Sequence, residues 1–419
     1  MRNLVNEIVR YSKINKSLLG PGLREGLDFI KKLNTKLKIY NIKSGTKFYD
    51  WKVPYEWEIN DGYIYHINSK KKFAEYKKNP LSVLGFSTPI DESLSYKEIV
   101  ANIYFDKFNK NFIPYRTSYY KNNWGFCMSY NEFKKLPKKG KYKVLVDSKL
   151  KKGHLNYGEI VIKGKSQKEI IFSCNICHQH MINNESVAPV LLAFISKNMS
   201  KNNFYTYRFL FIPETIGSIV YINKNLKRLK KNLIAGFHVT CFGDKGNFSF
   251  IKSRYNDSYP DKIFNHLMKS RNFRSYKWYE GGSDERQFAS PNINLPFITI
   301  TRTKFFEFKT YHTSGDKFNK FVTNKSISDS YSFILELINI LENNSKFKSM
   351  FNCDPFLSKR NLYPSISTPH KNKDVRNLAN FISYCDGQSD LIDISNLMDI
   401  DIIETIKISK IALDNHLIK

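Results

Sequence analysis

The chain has 419 residues, 41% of them hydrophobic and 15% aromatic, so it can bury a large core in two or three structural units and is neither a fibre nor a disordered tail. Its formal charge of +29 at pH 7 would ordinarily point to a polyanion such as nucleic acid or an anionic membrane surface. Yet 13 of the 67 basic residues are arginine and 54 are lysine, and the lysines travel with Asn, Ile, Phe and Tyr, all encoded by A/T-rich codons; codon bias accounts for the charge as well as phosphate contacts do.

Residues 20–37 open on Gly-Pro-Gly and set Leu23, Leu27, Ile30 and Leu33 at a spacing that predicts a helix with one apolar stripe. From Tyr40 to about Leu150 the texture changes to short aromatic and β-branched runs broken by Pro, Gly and Asn, among them residues 51–54, 62–66 and 142–146. These predict a strand-rich module. Beyond Gly158, residues 159–162, 169–172 and 207–212 read as buried strands separated by helical stretches such as 188–201. Strands alternating with helices imply an α/β layered architecture. Residues 363–369 read as a Pro- and Ser-rich linker, and the segment after them as three short helices.

Residues 374–419 carry eight acidic and four basic side chains, a net −4 within a basic chain. Residues 391–397 and 402–413 look like the second and third helices of a winged-helix or helix-turn-helix unit. A DNA-reading helix needs Lys and Arg facing phosphates and base edges, so a docking or dimerisation module is the preferred reading. A homo-oligomer is one expected state, and nucleic acid is not expected as a partner. The longest apolar run, residues 187–195, falls short of a membrane span, and residues 1–10 lack the apolar region of a signal peptide. Six dispersed cysteines suit reduced thiols, so the expectation is a cytoplasmic protein with no membrane span.

Four segments each set a His, Asp or Glu at or beside the end of an apolar strand, where α/β proteins build their sites: residues 173–178 with His178, 211–218 with Glu214, 241–246 with Asp244, and 311–316 with His312. A single His at a strand end is more often a hydrogen-bonded core residue than a ligand. Together, imidazole nitrogens and carboxylate oxygens are what a zinc site uses, with an open position for water and a further Glu as general base. Cys174 and Cys177 stand at C-x-x-C spacing, but without a second pair they read as packing.

The strings Asp50-Trp-Lys-Val-Pro54, Ile113-Pro-Tyr-Arg-Thr-Ser-Tyr-Tyr120, Trp124-Gly-Phe-Cys127, Ile176-Cys-His178, Tyr207-Arg-Phe-Leu-Phe-Ile-Pro-Glu-Thr-Ile-Gly-Ser218, Gly281-Gly-Ser-Asp-Glu-Arg-Gln287, Asn294-Leu-Pro296 and Tyr311-His-Thr-Ser314 run through nearly the whole chain. With them the sequence resembles the zinc aminopeptidase superfamily and, more closely, the bacterial family described as polysaccharide biosynthesis proteins with an aminopeptidase-like domain. The resemblance implies an α/β fold with an aminopeptidase-like core, a mixed central sheet flanked by helices, over residues 1–45 and 150–362. An inserted β-rich module would occupy 46–149, and a small winged-helix-like domain 370–419. It also implies one or two zinc ions, with His178 and His312 as imidazole ligands, Asp244 as a carboxylate ligand and Glu214 as the base or a ligand. Many aminopeptidases have two adjacent glutamates where this chain has Glu214-Thr215, so one zinc ion is expected ahead of two.

The aspartate that the family places at position 184 is an asparagine here. A neutral amide is a poorer partner for Zn²⁺ than a carboxylate, so Asn184 weakens the expected site unless Glu185, one residue off register, or His180 replaces it. A site without zinc is the remaining alternative. Residues 283–286 are expected on a loop near the pocket, where Arg286 would bind a carboxylate or phosphate and Asp284 or Glu285 would meet a substrate amine, against the competing reading of an ion pair within the loop. Tyr115 and Arg116, with Tyr119 and Tyr120, are expected to line the cleft or to pack beneath it. The function expected is a metal-dependent aminopeptidase-like hydrolase acting on a peptide or another small amide-containing substrate, linked to surface polysaccharide only through the family's description. The alternative is an inactive pseudo-enzyme that binds a peptide, glycan or protein.

Overall fold

Runs of Ile, Val and Phe after residue 153 become strands because branched and aromatic side chains suit a pleated, buried surface. The structure, a computed structural model, describes residues 2–363 and 373–419, so the expected linker lies outside the described residues except for Tyr363. The chain divides into two units, Met1–Asn256 with Ser275–Tyr331 and Asp257–Arg274 with Ser332–Lys419.

The first unit is built on an eight-stranded sheet of β1 (Lys38–Lys43), β2 (His154–Ile162), β3 (Glu169–Asn175), β4 (Thr206–Ile212), β5 (Leu233–Val239), β6 (Ser249–Ile251), β7 (Arg274–Tyr276) and β8 (Phe297–Thr301), in the spatial order β1-β2-β4-β3-β5-β8-β6-β7. The central strands β4, β3, β5 and β8 are parallel, and β1, β2 and β6 pair antiparallel outside them. All seven residues of β3 are buried, as expected of a parallel strand covered on both faces. Helix α1 (Val187–Asn198) connects β3 to β4, and helix α2 (Ile216–Asn232) connects β4 to β5. The chain reverses its direction along the sheet between these crossovers, so right-handed connections place the two helices on opposite faces.

The helix expected over residues 20–37 spans Pro21–Leu33 and stops where Asn34 turns extended and donates its side-chain amide to Ser196 Oγ at 3.0 Å. The strand-like texture from Tyr40 onward is shared between two sheets. Lys38–Lys43 joins the main sheet, where Tyr40 stacks on Tyr157 at 4.9 Å. Glu56–His66, Lys71–Phe73, Ile90–Ser95 and Lys141–Lys151 form a separate antiparallel sheet. Lys141–Lys151 alternates buried and solvent-facing positions along its first half, setting Tyr142, Val144 and Val146 on the covered face.

In the second unit, helices Lys373–Tyr384, Leu391–Met398 and Ile402–Asp414 occupy the three expected helical segments, and Lys346–Lys348 pairs antiparallel with Asp386–Asp390. Several of its acidic side chains meet bases inside the unit: Lys262 reaches Asp390 at 2.7 Å and Asp393 at 2.8 Å, and Arg271 reaches Glu336 at 2.5 Å and Asp401 at 3.2 Å. Among the described residues no helix is long and apolar enough to cross a membrane.

Candidate metal and catalytic site

Strand β3 lies between β4 and β5, and the chain leaves it first to one side and then to the other. Its carboxyl end is therefore a topological switch point, where open α/β sheets form a crevice. Asn175 ends β3, and Cys177 and His178 follow it into that crevice, while Glu214 stands two residues beyond the end of β4.

His178 is buried, and Glu185 holds it at two points. One carboxylate oxygen accepts the His178 backbone N–H at 2.5 Å, and the other bonds the ring at Nδ1. With Nδ1 engaged, Nε2 is the nitrogen presented to Glu214, 3.8 Å from Oε2. Burial disfavours the imidazolium, but the Glu185 carboxylate outweighs it, helped by Glu214, and holds the His178 pKa above its ordinary value. Glu214 is pushed upward chiefly by burial, with the charge of Glu185 adding to the rise and His178 opposing it.

The backbone after Glu214 is tightly turned. Thr215 has φ 63° and ψ −76°, and the Ile216 N–H donates to the Glu214 carbonyl at 2.8 Å, which makes a γ-turn of the rare positive-φ kind. A β-branched residue rarely adopts it, and such strain gathers at functional sites. Asp284 steadies the turn by accepting the Thr215 N–H at 2.7 Å. Cys177 steadies it from the other side, its sulfur accepting the Glu214 N–H at 3.3 Å.

His312, at φ 49°, stacks on Tyr311 at 3.9 Å and lies 4.9 Å from the His178 ring. The segment that precedes Arg116 is tied to this loop: Tyr115 N–H donates to the His312 carbonyl, and Ser314 N–H to the Ile113 carbonyl, both at 2.8 Å. Tyr115 consequently packs against both histidines, with ring separations of 4.7 Å to His178 and 5.2 Å to His312. Burial, reinforced by His178, keeps the His312 imidazole well below its usual pKa and hence neutral.

The other expected site residues are engaged within the fold. Asp244 is fully buried, with Gly246 N–H and Thr303 Oγ1 on one carboxylate oxygen at 2.6 and 2.8 Å, and Asn183 Nδ2 and Thr303 N–H on the other at 3.0 and 3.2 Å. Asn184 donates its backbone N–H to Asp316 at 2.9 Å, and its side-chain oxygen accepts the Cys241 thiol at 3.4 Å. Glu285 is buried and bonded to Thr299 and to the Ser283 N–H. Arg286 extends over Trp278 at 4.4 Å, and Arg116 over Tyr104 at 4.0 Å. Among the described residues, the one group of three His, Cys, Asp or Glu ligand atoms lying within 4.8 Å of one another is Cys177, His178 and Glu185.

His238 belongs to the site and was not foreseen, and Ser283, expected only as part of a loop near the pocket, joins it: Ser283 Oγ donates to Glu214 Oε1 at 2.8 Å and lies 3.1 Å from His238 Nε2. The available signal was the polar residue inside an apolar strand, Ser173 in β3 and His238 in β5, because an unpaired polar group is costly there.

The family described as domain of unknown function DUF4910 matches residues 3–344, and a winged helix-turn-helix family matches residues 345–419. A Clostridium acetobutylicum protein described provisionally as a polysaccharide biosynthesis protein with aminopeptidase-like domain is 38% identical over 400 residues, covering 94% of this chain and 90% of that protein. A crystal structure from Clostridium acetobutylicum, described provisionally as a peptidase, superposes with TM-score 0.92 at 34% identity over 100% of this chain and 96% of the other. A zinc aminopeptidase from Bacillus subtilis shares the fold, with TM-score 0.56 at 10% identity over 80% of this chain and 93% of its own.

Proposed function

We propose that this chain, which belongs to the family described as domain of unknown function DUF4910 and to the polysaccharide biosynthesis proteins with an aminopeptidase-like domain, is an amide hydrolase that works with a single zinc ion. The observation that carries this reading is the grip of Glu185 on His178. Metal-binding histidines commonly give their second nitrogen to a carboxylate, which fixes the ring and its tautomer, and here that bond leaves Nε2 beside Glu214. His178 and the neutral His312 are the nitrogen donors of this chain that would hold one zinc ion, with Glu214 beside them kept as the base.

Among the described residues, the positions that the resemblance assigns to a second ion are altered or already engaged. Position 184 is an amide turned to Cys241, Thr215 replaces a second glutamate, and both Asp244 oxygens are occupied by donors within the fold. The group of Cys177, His178 and Glu185 is a supporting layer in this reading: burial holds the Cys177 thiol protonated, and both Glu185 oxygens bond to His178.

A zinc ion, when bound, polarises a scissile carbonyl and acidifies water. The chain supplies the rest. Glu214 takes the proton at Oε2 while Ser283 holds Oε1. The γ-turn and Asp284 fix where Glu214 stands, and Tyr115 and Tyr311 wall the histidines with aromatic surface that excludes water. The substrate class, a peptide or other amide, follows from relatives of the same fold. Asn184 favours a second reading, a pseudo-enzyme that binds such amides without cleaving them. A panel of aminoacyl-aminomethylcoumarin substrates with zinc-loaded protein separates the two. Turnover in the wild type is expected, with a loss of about 10²- to 10⁴-fold in kcat for a folded Glu214→Gln variant. Undiminished turnover in that variant, or none in the wild type, contradicts the hydrolase.

A further inference from the structure

Beneath Glu214 a line of buried polar groups runs into the sheet. Ser173 on β3 and His238 on β5 are opposite one another in the parallel register, and Ser173 Oγ lies 3.1 Å from His238 Nδ1. Across the ring, His238 Nε2 lies 3.1 Å from Ser283 Oγ, which donates to Glu214 Oε1 at 2.8 Å. Asn175 Nδ2 donates to the same Ser283 oxygen at 3.3 Å. Ser173 and His238 have no exposed surface, and Ser283 has little.

Counting hydrogens fixes the arrangement. A serine hydroxyl offers one hydrogen and two lone pairs. Ser283 gives its hydrogen to Glu214 and accepts from Asn175, so its remaining lone pair faces His238, which must carry its proton on Nε2. Nδ1 is then bare and accepts the Ser173 hydroxyl. Burial pushes the His238 pKa down to about 4, which keeps the ring neutral at physiological pH. Every contact along the line is satisfied by this one tautomer. Ser173 ends the line inside the sheet, so it orders hydrogen bonds and carries no proton to solvent.

We propose that His238 and Ser283 are positioning residues that clamp the Glu214 carboxylate, occupying Oε1 as an acceptor and leaving Oε2 as the basic oxygen beside His178, and that the clamp requires the Nε2–H tautomer of His238. The proposal rests on the reading of Glu214 as the general base. With the proton on Nδ1 instead, the bare Nε2 would draw the Ser283 hydrogen away from Glu214, and the carboxylate would be free to rotate.

Nitrogen-15 NMR of the full chain labelled at histidine, with His238→Gln to identify the signal, reads the tautomer without any turnover. The expected result is a protonated Nε2 and a bare Nδ1, unchanged across the neutral pH range. A proton on Nδ1, or a ring that titrates in that range, overturns the clamp. Kinetics then tests its role. Ser283→Ala should lower kcat about tenfold to a hundredfold at similar KM and move the acidic limb of the rate profile to higher pH, because a carboxylate that loses a donor is harder to ionise. Ser283→Thr, which keeps the hydroxyl, should recover most of the rate. An Ala variant with the wild-type kcat and acidic limb overturns the positioning role. The expected tautomer in a protein that turns over no amide supports the hydrogen-bonded clamp and removes the hydrolase reading, so the two failures are distinguishable.

Discussion

At the residue scale, Lys16 is a cation buried in the fold. It is 1% exposed, with its ammonium 4.4 Å from the Tyr11 ring centre and 3.4 Å from the Tyr11 carbonyl. Burial holds its pKa down to about 8, against an upward pull from Glu185 and Cys177. A lysine in the unfolded chain titrates near ~10.4, so between these values the unfolded state keeps a proton that the folded state has released, and stability rises with pH across that window. Below pH 8 the full cost of the buried charge is present, about 3 kcal/mol. Replacing a buried charge by an apolar side chain of similar length removes that cost. Lys16→Met should therefore unfold at higher urea concentration at pH 7, and its advantage should shrink as the pH rises from 8 toward ~10.4. A variant less stable than the wild type at pH 7 would mean that the attraction to Glu185 exceeds the cost of burial.

At the scale of elements, the parallel centre of the sheet depends on Gly236. It stands opposite Phe297 in the β5–β8 pairing, and a Cβ built on it would overlap the edge of the Phe297 ring, which itself stacks on Phe288 at 4.0 Å. Gly236→Ala should destabilise the chain by about 1–3 kcal/mol in urea unfolding, since overpacking displaces both rings; an unchanged midpoint would mean that the ring swings aside freely. The strands around this core were readable because period and composition are local properties. Residues 159–162, 169–172 and 207–212 fall within β2, β3 and β4, and the three last helices occupy their expected segments. The site was less readable because its assembly is not local. His178 and Glu214 were recognisable at strand ends, but whether Glu185 binds a metal or holds His178 depends on which way a four-residue helix, Ile182–Glu185, turns its side chains. Asp244 has the residue type of a ligand, and only the folded loop reveals four donors around it. Ser283 lies 110 residues beyond Ser173 along the chain, and no spacing rule links them through His238.

For the whole molecule, the balance of charge is settled unit by unit and not by the total of +29. In the second unit the acidic side chains that cap helices Leu391–Met398 and Ile402–Asp414 bond to Lys262 and Arg271, as suits a module held by packing. Helix Ile402–Asp414 itself mixes Lys407 and Lys410 with Glu404 and Asp414. Fluorescence anisotropy with duplex DNA should give the same affinity and salt dependence for the wild type and a Lys407→Ala, Lys410→Ala double variant; a salt slope lower by about two would assign those lysines to phosphates. The account as a whole turns on a single zinc ion at His178. Elemental analysis of protein stripped with chelator and reloaded with zinc should find one ion per chain, lost in His178→Ala and kept in whatever fraction of Asp244→Asn folds. Two ions in the wild type, or one that survives His178→Ala and leaves with Asp244→Asn, would contradict it.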